Sequence, residues 1–422
     1  MLQKEVLSNG VRVVTENISY VQSVALGIWV NVGSRDEEVE LHGISHVIEH
    51  MLFKGTATRT AQQIADEIDM IGGDINAFTS KENTCYYVRV LSEHVLVALD
   101  VLSDMFHHSL IDTEELAREQ NVILEEIKRR DDEPDDLVHD VFTEILWPEH
   151  PLGKSVIGTS ETVSALKSQD LKDYIAKKYT PDSIVIAVAG NCNHDEIVSM
   201  VQQKFGALAG AQCEWRSPTS SPSATKAVKY IAKPIEQVNL VMGVAGYSQL
   251  SEEKYAVSVL DNVLGGSMSS RLFQEVREKR GLAYSVGSFT QSFCEGGYLG
   301  IYAGTGADTA QEVIAVCHEE VQKMLASGIT AKELIRAKNQ FRGGIVMGQE
   351  SMSSRMMRIG RNELVYNRVI PIPEIMECVE SVTLEDVARV AEFLFRGKEF
   401  AMATVGPFEN AGADSENAKE AR

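Results

Sequence analysis

No run of 18 or more uninterrupted apolar residues occurs in this 422-residue chain, which excludes a helical membrane span. Its six cysteines (Cys85, Cys192, Cys213, Cys294, Cys317 and Cys378) form no C-x-x-C pair or other ligand spacing, so neither a disulfide framework nor a thiolate metal site is expected, only buried free thiols. The opening MLQKEVLSNGVRVVTE carries neither a basic leader nor an apolar core of signal-peptide length, so no secretory signal is expected. Basic residues are also scarce. Forty Lys and Arg stand against 61 Asp and Glu, a net charge of −21. Such a surface repels phosphate backbones and anionic membranes on average, which argues against nucleic acid as a partner and leaves basic peptides as the charged ligands that suit it.

What is present is a globular composition, with 44% hydrophobic and 24% charged residues, in a chain long enough for two or three domains. The Ser/Pro/Thr-rich stretch RSPTSSPSATK (Arg216 to Lys226) reads as a linker near mid-chain. Its position prompts a search for duplication. Aligned without gaps, IDTEELAREQNVILEEI (from Ile111) and ITAKELIRAKNQFRGGI (from Ile329) share six of seventeen residues at an offset of 218. LKSQDLKDYIAKKYTPDSIVIAVAG (from Leu166) matches VTLEDVARVAEFLFRGKEFAMATVG (from Val382) at 216, pairing Asp170 with Asp386 and the closing glycines Gly190 and Gly406. Two similar domains follow, 1–213 and 226–408, with a linker at 214–225 and a polar tail, expected to be disordered, at 409–422. Val24 to Val32 and Asn83 to Val90 read as strands, while Thr60 to Ile71 and Asp112 to Arg130 read as helices. The expected class is α+β, each domain a sheet covered by helices on one face.

The segment GISHVIEHMLFKG (from Gly43) carries the chemistry. On a helix, His46, Glu49 and His50 share one face, so two imidazoles can hold a divalent ion while the glutamate reaches a water beside it. H-x-x-E-H is a metallopeptidase signature. A catalytic zinc site wants a third protein ligand and one open position. The Asp112–Arg130 helix offers Glu119, Glu125 and Glu126; Glu119 and Glu126 lie seven apart on one face, and spacing alone leaves open which is the ligand and which its support. The second copy acts as an internal control. It has Ala337 and Gly344 opposite Glu119 and Glu126, and Val257, Leu260 and Asp261 opposite His46, Glu49 and His50. The shared framework therefore does not require the site residues.

HVIEH followed by EQNVILEE resembles the inverted-motif zinc peptidases of the pitrilysin family, known as M16. The resemblance is greatest to mitochondrial processing peptidase subunits and their bacterial homologues, and it extends through GGDINAFTSKENT, HPLGKSVIGT and LGGSMSSRLFQEVREKRGLAYSV. It implies a zinc endopeptidase with one Zn2+ per chain, held by His46, His50 and Glu126, with Glu49 as general base and Glu119 supporting the ligands. It further implies that Asn76 and Ala77 pair with substrate backbone and that Arg277 and Tyr284 hold substrate near the metal. The family fold is a four-domain clamshell around a chamber, of which this chain supplies half; a homodimer, or a heterodimer with a related chain, is expected to complete it. Bacterial cytoplasm, or the mitochondrial matrix for a mature organelle form, is the expected compartment. The alternative from another functional class is a non-catalytic peptide-holding or assembly subunit of such a complex.

Overall fold

The computed structural model describes residues 1–209 and 221–408; Cys213, most of the expected linker (214–220) and the whole expected tail (409–422) lie outside them. The described chain divides into two compact units, each discontinuous in sequence. The first takes Met1–Lys128, the described residues from Lys154 to 209, and Gly344–Pro371; the second takes Arg129–Gly153, residues 221–343 and the described residues from Ile372.

The first unit holds strands β1 (Leu2–Val6), β2 (Arg12–Asn17), β3 (Ser23–Val30), β4 (Asp74–Thr79), β5 (Thr84–Leu91) and β6 (Ile184–Gly190), in the order β1-β2-β6-β3-β5-β4. The second holds β7 (Val228–Ala232), β8 (Gln237–Gly246), β9 (Ala283–Ser292), β10 (Gly297–Gly306) and β11 (Ala401–Gly406), ordered β7-β11-β8-β10-β9. Without β1 the two orders match strand for strand. The parallel pair is the same in each, β2 with β6 and β7 with β11, and the remaining pairs are antiparallel. The two domains are therefore homologous α+β units. The Asp170/Asp386 correspondence is a shared helix cap: Asp170 accepts from Lys167 N at 2.8 Å and Asp386 from Thr383 N at 2.9 Å.

Six helices matter below: α1 (Ile44–Leu52), α2 (Thr113–Asp132), α3 (Pro134–Leu146), α4 (Lys254–Leu264), α5 (Ala331–Gly348) and α6 (Met352–Tyr366). The expectation of helices on one face of each sheet is corrected. In the first unit a core of α1, α2 and neighbouring helices covers one face, and α6, from the C-terminal half of the sequence, covers the other through Met352, Met356, Ile359 and Leu364 against Val14, Trp29, Val185 and Ala187. In the second unit α3, from the N-terminal half, plays the same part: Val138, Val141 and Phe142 pack on Val241, Ala403 and Val405. Each half of the sequence thus lends one helix to the other half's sheet. The physical reason is in the strands, since β6 is buried along its whole length and β3 at all but its first residue, and a strand buried on both faces needs a cover on both. Gly27 and Gly243, again 216 apart, make room for the borrowed helix. A Cβ at Gly27 would lie 2.6 Å from Met356 Sδ, and one at Gly243 2.9 Å from Phe142 Cζ.

Arg355 and Arg358 of α6 both reach Glu16, and Glu363, fully buried, sits 2.7 Å from Lys4 Nζ and 3.5 Å from Arg12. Among the described residues no helix is long and apolar enough to cross a membrane. The five described cysteines are all free; Cys85, Cys192 and Cys317 are buried.

Candidate metal centre

α1 is short, nine residues, and its N-terminal end is fixed by groups outside it. Gly43 precedes it at φ 96°, a left-handed conformation open to glycine, with its α-carbon against the backbone of Gly158. The Glu37 carboxylate accepts from Gly43 N at 2.7 Å and Ser45 N at 2.9 Å, satisfying backbone donors that the first helical turn leaves unpaired. Ile44, Val47, Ile48, Met51 and Leu52 are buried in the core, which turns the other face of the helix, with His46, Glu49 and His50, toward β4 and α2.

His46 Nε2 and His50 Nε2 each lie 3.7 Å from Glu126 Oε2, and one donor atom from each of the three residues falls within 4.8 Å of the others. Zinc bonds of about 2.1 Å at tetrahedral angles put neighbouring donor atoms about 3.4 Å apart, so this spacing suits a shared cation better than direct hydrogen bonds. The imidazole rings meet edge to face with centroids 4.6 Å apart. His50 is oriented through its other nitrogen, Nδ1, which is 3.1 Å from Glu119 Oε2. That contact fixes the tautomer with the proton on Nδ1 and the Nε2 lone pair toward Glu126. His46 Nδ1 is buried and has no hydrogen-bond partner among the described residues, which leaves Nε2 as its usable donor. Two neutral nitrogens and one carboxylate are a donor set that fits zinc.

The electrostatics agree with that use. Burial, reinforced by His50, pushes the His46 imidazole down to about 4, so its lone pair is free at neutral pH. Burial raises the Glu49 carboxyl above the ordinary range, partly offset by the hydrogen bond from Thr79, the direction that suits a proton acceptor working near neutrality. Glu49 Oε2 accepts from Thr79 Oγ1 at 2.6 Å. Glu119 is buried, and its second oxygen, Oε1, is 2.7 Å from Lys54 Nζ. The Glu126 side chain is 42% exposed, so the cluster opens to solvent on that side.

The other sequence-predicted residues fall in two places. Asn76 and Ala77 lie on β4, the outermost strand of the first sheet; Asn76 is exposed and its Oδ1 accepts from Ala77 N at 2.8 Å. Arg277 and Tyr284 belong to the second unit. There the guanidinium stacks 4.6 Å from the Tyr284 ring centroid and donates to Tyr284 O at 3.0 Å, while the tyrosine is 78% exposed. Sequence reasoning missed Thr79, Lys54 and Glu37. Thr79 could have been found two residues past Ala77 on the same strand face, and Lys54 four residues past His50; Glu37 gave no signal.

The second copy keeps the scaffold and fills the site with packing. On α4, Val257 and Leu260 are buried, and Asp261 accepts from Ser288 Oγ at 2.6 Å. On α5, Ala337 is buried and Gly344 faces open space. Among the described residues, His46, His50 and Glu126 are the one group of three or more potential ligands that meets.

Comparison with known proteins agrees. Residues 12–160 match the family model described as insulinase (peptidase family M16), and residues 165–341 match the one described as the peptidase M16 inactive domain. The chain is 44% identical to the uncharacterized zinc protease YmxG of Bacillus subtilis, over 97% of this chain and 99% of that one. It is 40% identical to an uncharacterized zinc protease of Streptomyces coelicolor, over 98% and 91%. Two solved structures share the fold at 22% identity: a peptidase M16 inactive domain from Pseudomonas fluorescens (TM-score 0.89; 97% of this chain and 98% of that one) and a protease from Helicobacter pylori (TM-score 0.88; 96% and 99%). With both M16 family models matched across residues 12–160 and 165–341, and 44% and 40% identity to the two zinc-protease relatives over nearly the whole chain, the chain belongs to peptidase family M16.

Proposed function

We propose that the chain is a zinc-dependent endopeptidase of the processing-peptidase type. It acts on unfolded or short peptides inside a chamber completed by a second chain, either a copy of itself or a relative. The observation that carries this reading is the convergence of His46 Nε2, His50 Nε2 and Glu126 Oε2 beside the half-buried carboxylate of Glu49.

His46, His50 and Glu126 would hold one zinc ion, with Glu119 keeping His50 in the ligating tautomer. When bound, zinc supplies Lewis acidity, which makes a water more acidic and a peptide carbonyl more electrophilic. Glu49 takes the proton of the attacking water and hands it to the leaving amine. Its Oε2 is held by Thr79, so Oε1 is the oxygen left for proton transfer. Peptide backbone adds to the free edge of β4 at Asn76 and Ala77, a mode that reads main chain more than sequence. Arg277 and Tyr284 each carry donors that can meet a substrate carbonyl or the developing oxyanion. The net charge of −21 favours basic substrates.

The test is a digest of an unstructured peptide by the purified chain, with metal analysis on the same sample. Zinc-dependent cleavage, lost to a chelator and restored by zinc, with Glu49→Gln retaining metal but not turnover, is the expected result. A metal-free, inactive chain would point instead to a peptide-holding subunit.

A further inference from the structure

The Thr79 hydroxyl has a position that the proposed chemistry does not yet use. Thr79 is the last residue of β4, paired in register with Thr84 of β5, whose own hydroxyl donates to Val32 O at 2.9 Å. The strand end is therefore pinned from the sheet side. From there Thr79 Oγ1 reaches α1, 2.6 Å from Glu49 Oε2 and 3.5 Å from Ser45 O. Ser45 and Glu49 are one helical turn apart, so the hydroxyl sits across a single turn of the helix that carries both histidines. A hydroxyl has one proton to give, and the shorter contact, to a carboxylate, is the stronger of the two. Thr79 is the residue that hydrogen-bonds Glu49 among those described, through this hydroxyl and through its backbone N–H, and the hydroxyl is the part that side-chain substitution removes. Thr79 alone fixes its orientation.

We propose that Thr79 is a positioning residue: its hydroxyl holds the Glu49 carboxylate against the site, and because Thr79 lies two residues from Ala77 it references the general base to the strand on which substrate docks. This rests on the reading of Glu49 as base. The two functions are then linked by one rigid element, since two strand residues span about 7 Å. The neighbouring edge position supports the view that β4 presents this side outward. Ala77 N–H is bonded to the Asn76 side chain.

The test compares Thr79→Ser with Thr79→Ala in the zinc-loaded full chain, a pair that differs from each other only by the hydroxyl. For Thr79→Ala, kcat should fall about 10- to 100-fold, the range for a lost hydrogen bond to a charged group or a small misplacement of a catalytic group. KM should stay within about twofold, and zinc per chain and melting temperature should be unchanged. Thr79→Ser should recover kcat to within about threefold. Turnover of Thr79→Ala within about twofold of wild type, an equal loss in Thr79→Ser, or a loss that follows zinc content would overturn the assignment. Crystal structures of wild type and Thr79→Ala judge it without turnover. Glu49 should be displaced in the variant, and a carboxylate that has not moved contradicts the role. If the wild type cleaves no peptide, the peptidase reading fails on its own, while the crystallographic comparison still decides whether Thr79 positions Glu49.

Discussion

Replacing Glu37 with Gln should make the stability of the first unit less sensitive to pH. Glu37 accepts two backbone N–H groups at the start of α1, yet burial outweighs those bonds and raises its carboxyl from 4.5 to about 7, with Asp36 adding to the rise. A carboxyl raised by folding binds its proton more tightly in the native state. Its stabilising contribution is therefore complete below pH 4.5 and is lost as pH climbs through about 7. The difference of about 2.5 pH units corresponds to about 3 kcal/mol. For a unit of this size that is on the order of 6 to 12 °C in melting temperature. Gln has no proton to lose, so its melting temperature relative to wild type should rise by that order between pH 4 and pH 8. Differential scanning calorimetry of both proteins in chelator, at several pH values, reads the difference directly. A gap between the two proteins that does not change with pH would refute the assignment of a raised carboxyl to Glu37.

Glu126→Ala removes a donor that both histidines face, and should lower zinc affinity enough that the metal is lost on gel filtration; Glu119→Ala, which leaves all three donors but frees His50 Nδ1, should weaken zinc by about 10- to 100-fold in a chelator competition. Gly360→Ala places a Cβ 2.2 Å from the indole nitrogen of Trp29, a side chain only 2% exposed, and should cost about 1 to 3 kcal/mol, measured as a lower midpoint in urea. The N-terminal half expressed alone, ending at 209, lacks α6 and should expose the apolar face around Trp29, Val185 and Ala187; it should bind a hydrophobic dye or aggregate, and recover when the C-terminal half is supplied.

The duplication was legible because shared framework residues survive at nearly one offset for structural reasons: Asp170 and Asp386 cap equivalent helices, and Gly190 and Gly406 end equivalent strands. The exchange of α3 and α6 was not. Both helices are amphipathic and follow equivalent long helices, and a hydrophobic face does not say which of two similar sheets it will cover. The uninterrupted run IVIAVAG of β6, with no polar residue to face solvent, was the available sign that a second cover existed.

At the site, the three-and-four spacing on α1 was readable because helical geometry alone brings His46, Glu49 and His50 to one face. The choice between Glu119 and Glu126 was not, since residues seven apart share a face and differ only in which turn of α2 meets α1. The packed structure separates them: Glu126 approaches both Nε2 atoms, while Glu119 meets Nδ1 of His50 and Lys54. The half-buried Arg277 and exposed Tyr284 side chains stack on each other, a contact that their spacing of seven residues across a turn does not imply.

The most direct measurement is a crystal structure of the zinc-loaded chain with anomalous data collected across the zinc edge. One peak per chain is expected, bonded at about 2.1 Å to His46 Nε2, His50 Nε2 and a Glu126 oxygen, with one position left for solvent. A peak elsewhere, or zinc bound with Glu126 turned away from both imidazoles, would contradict the account.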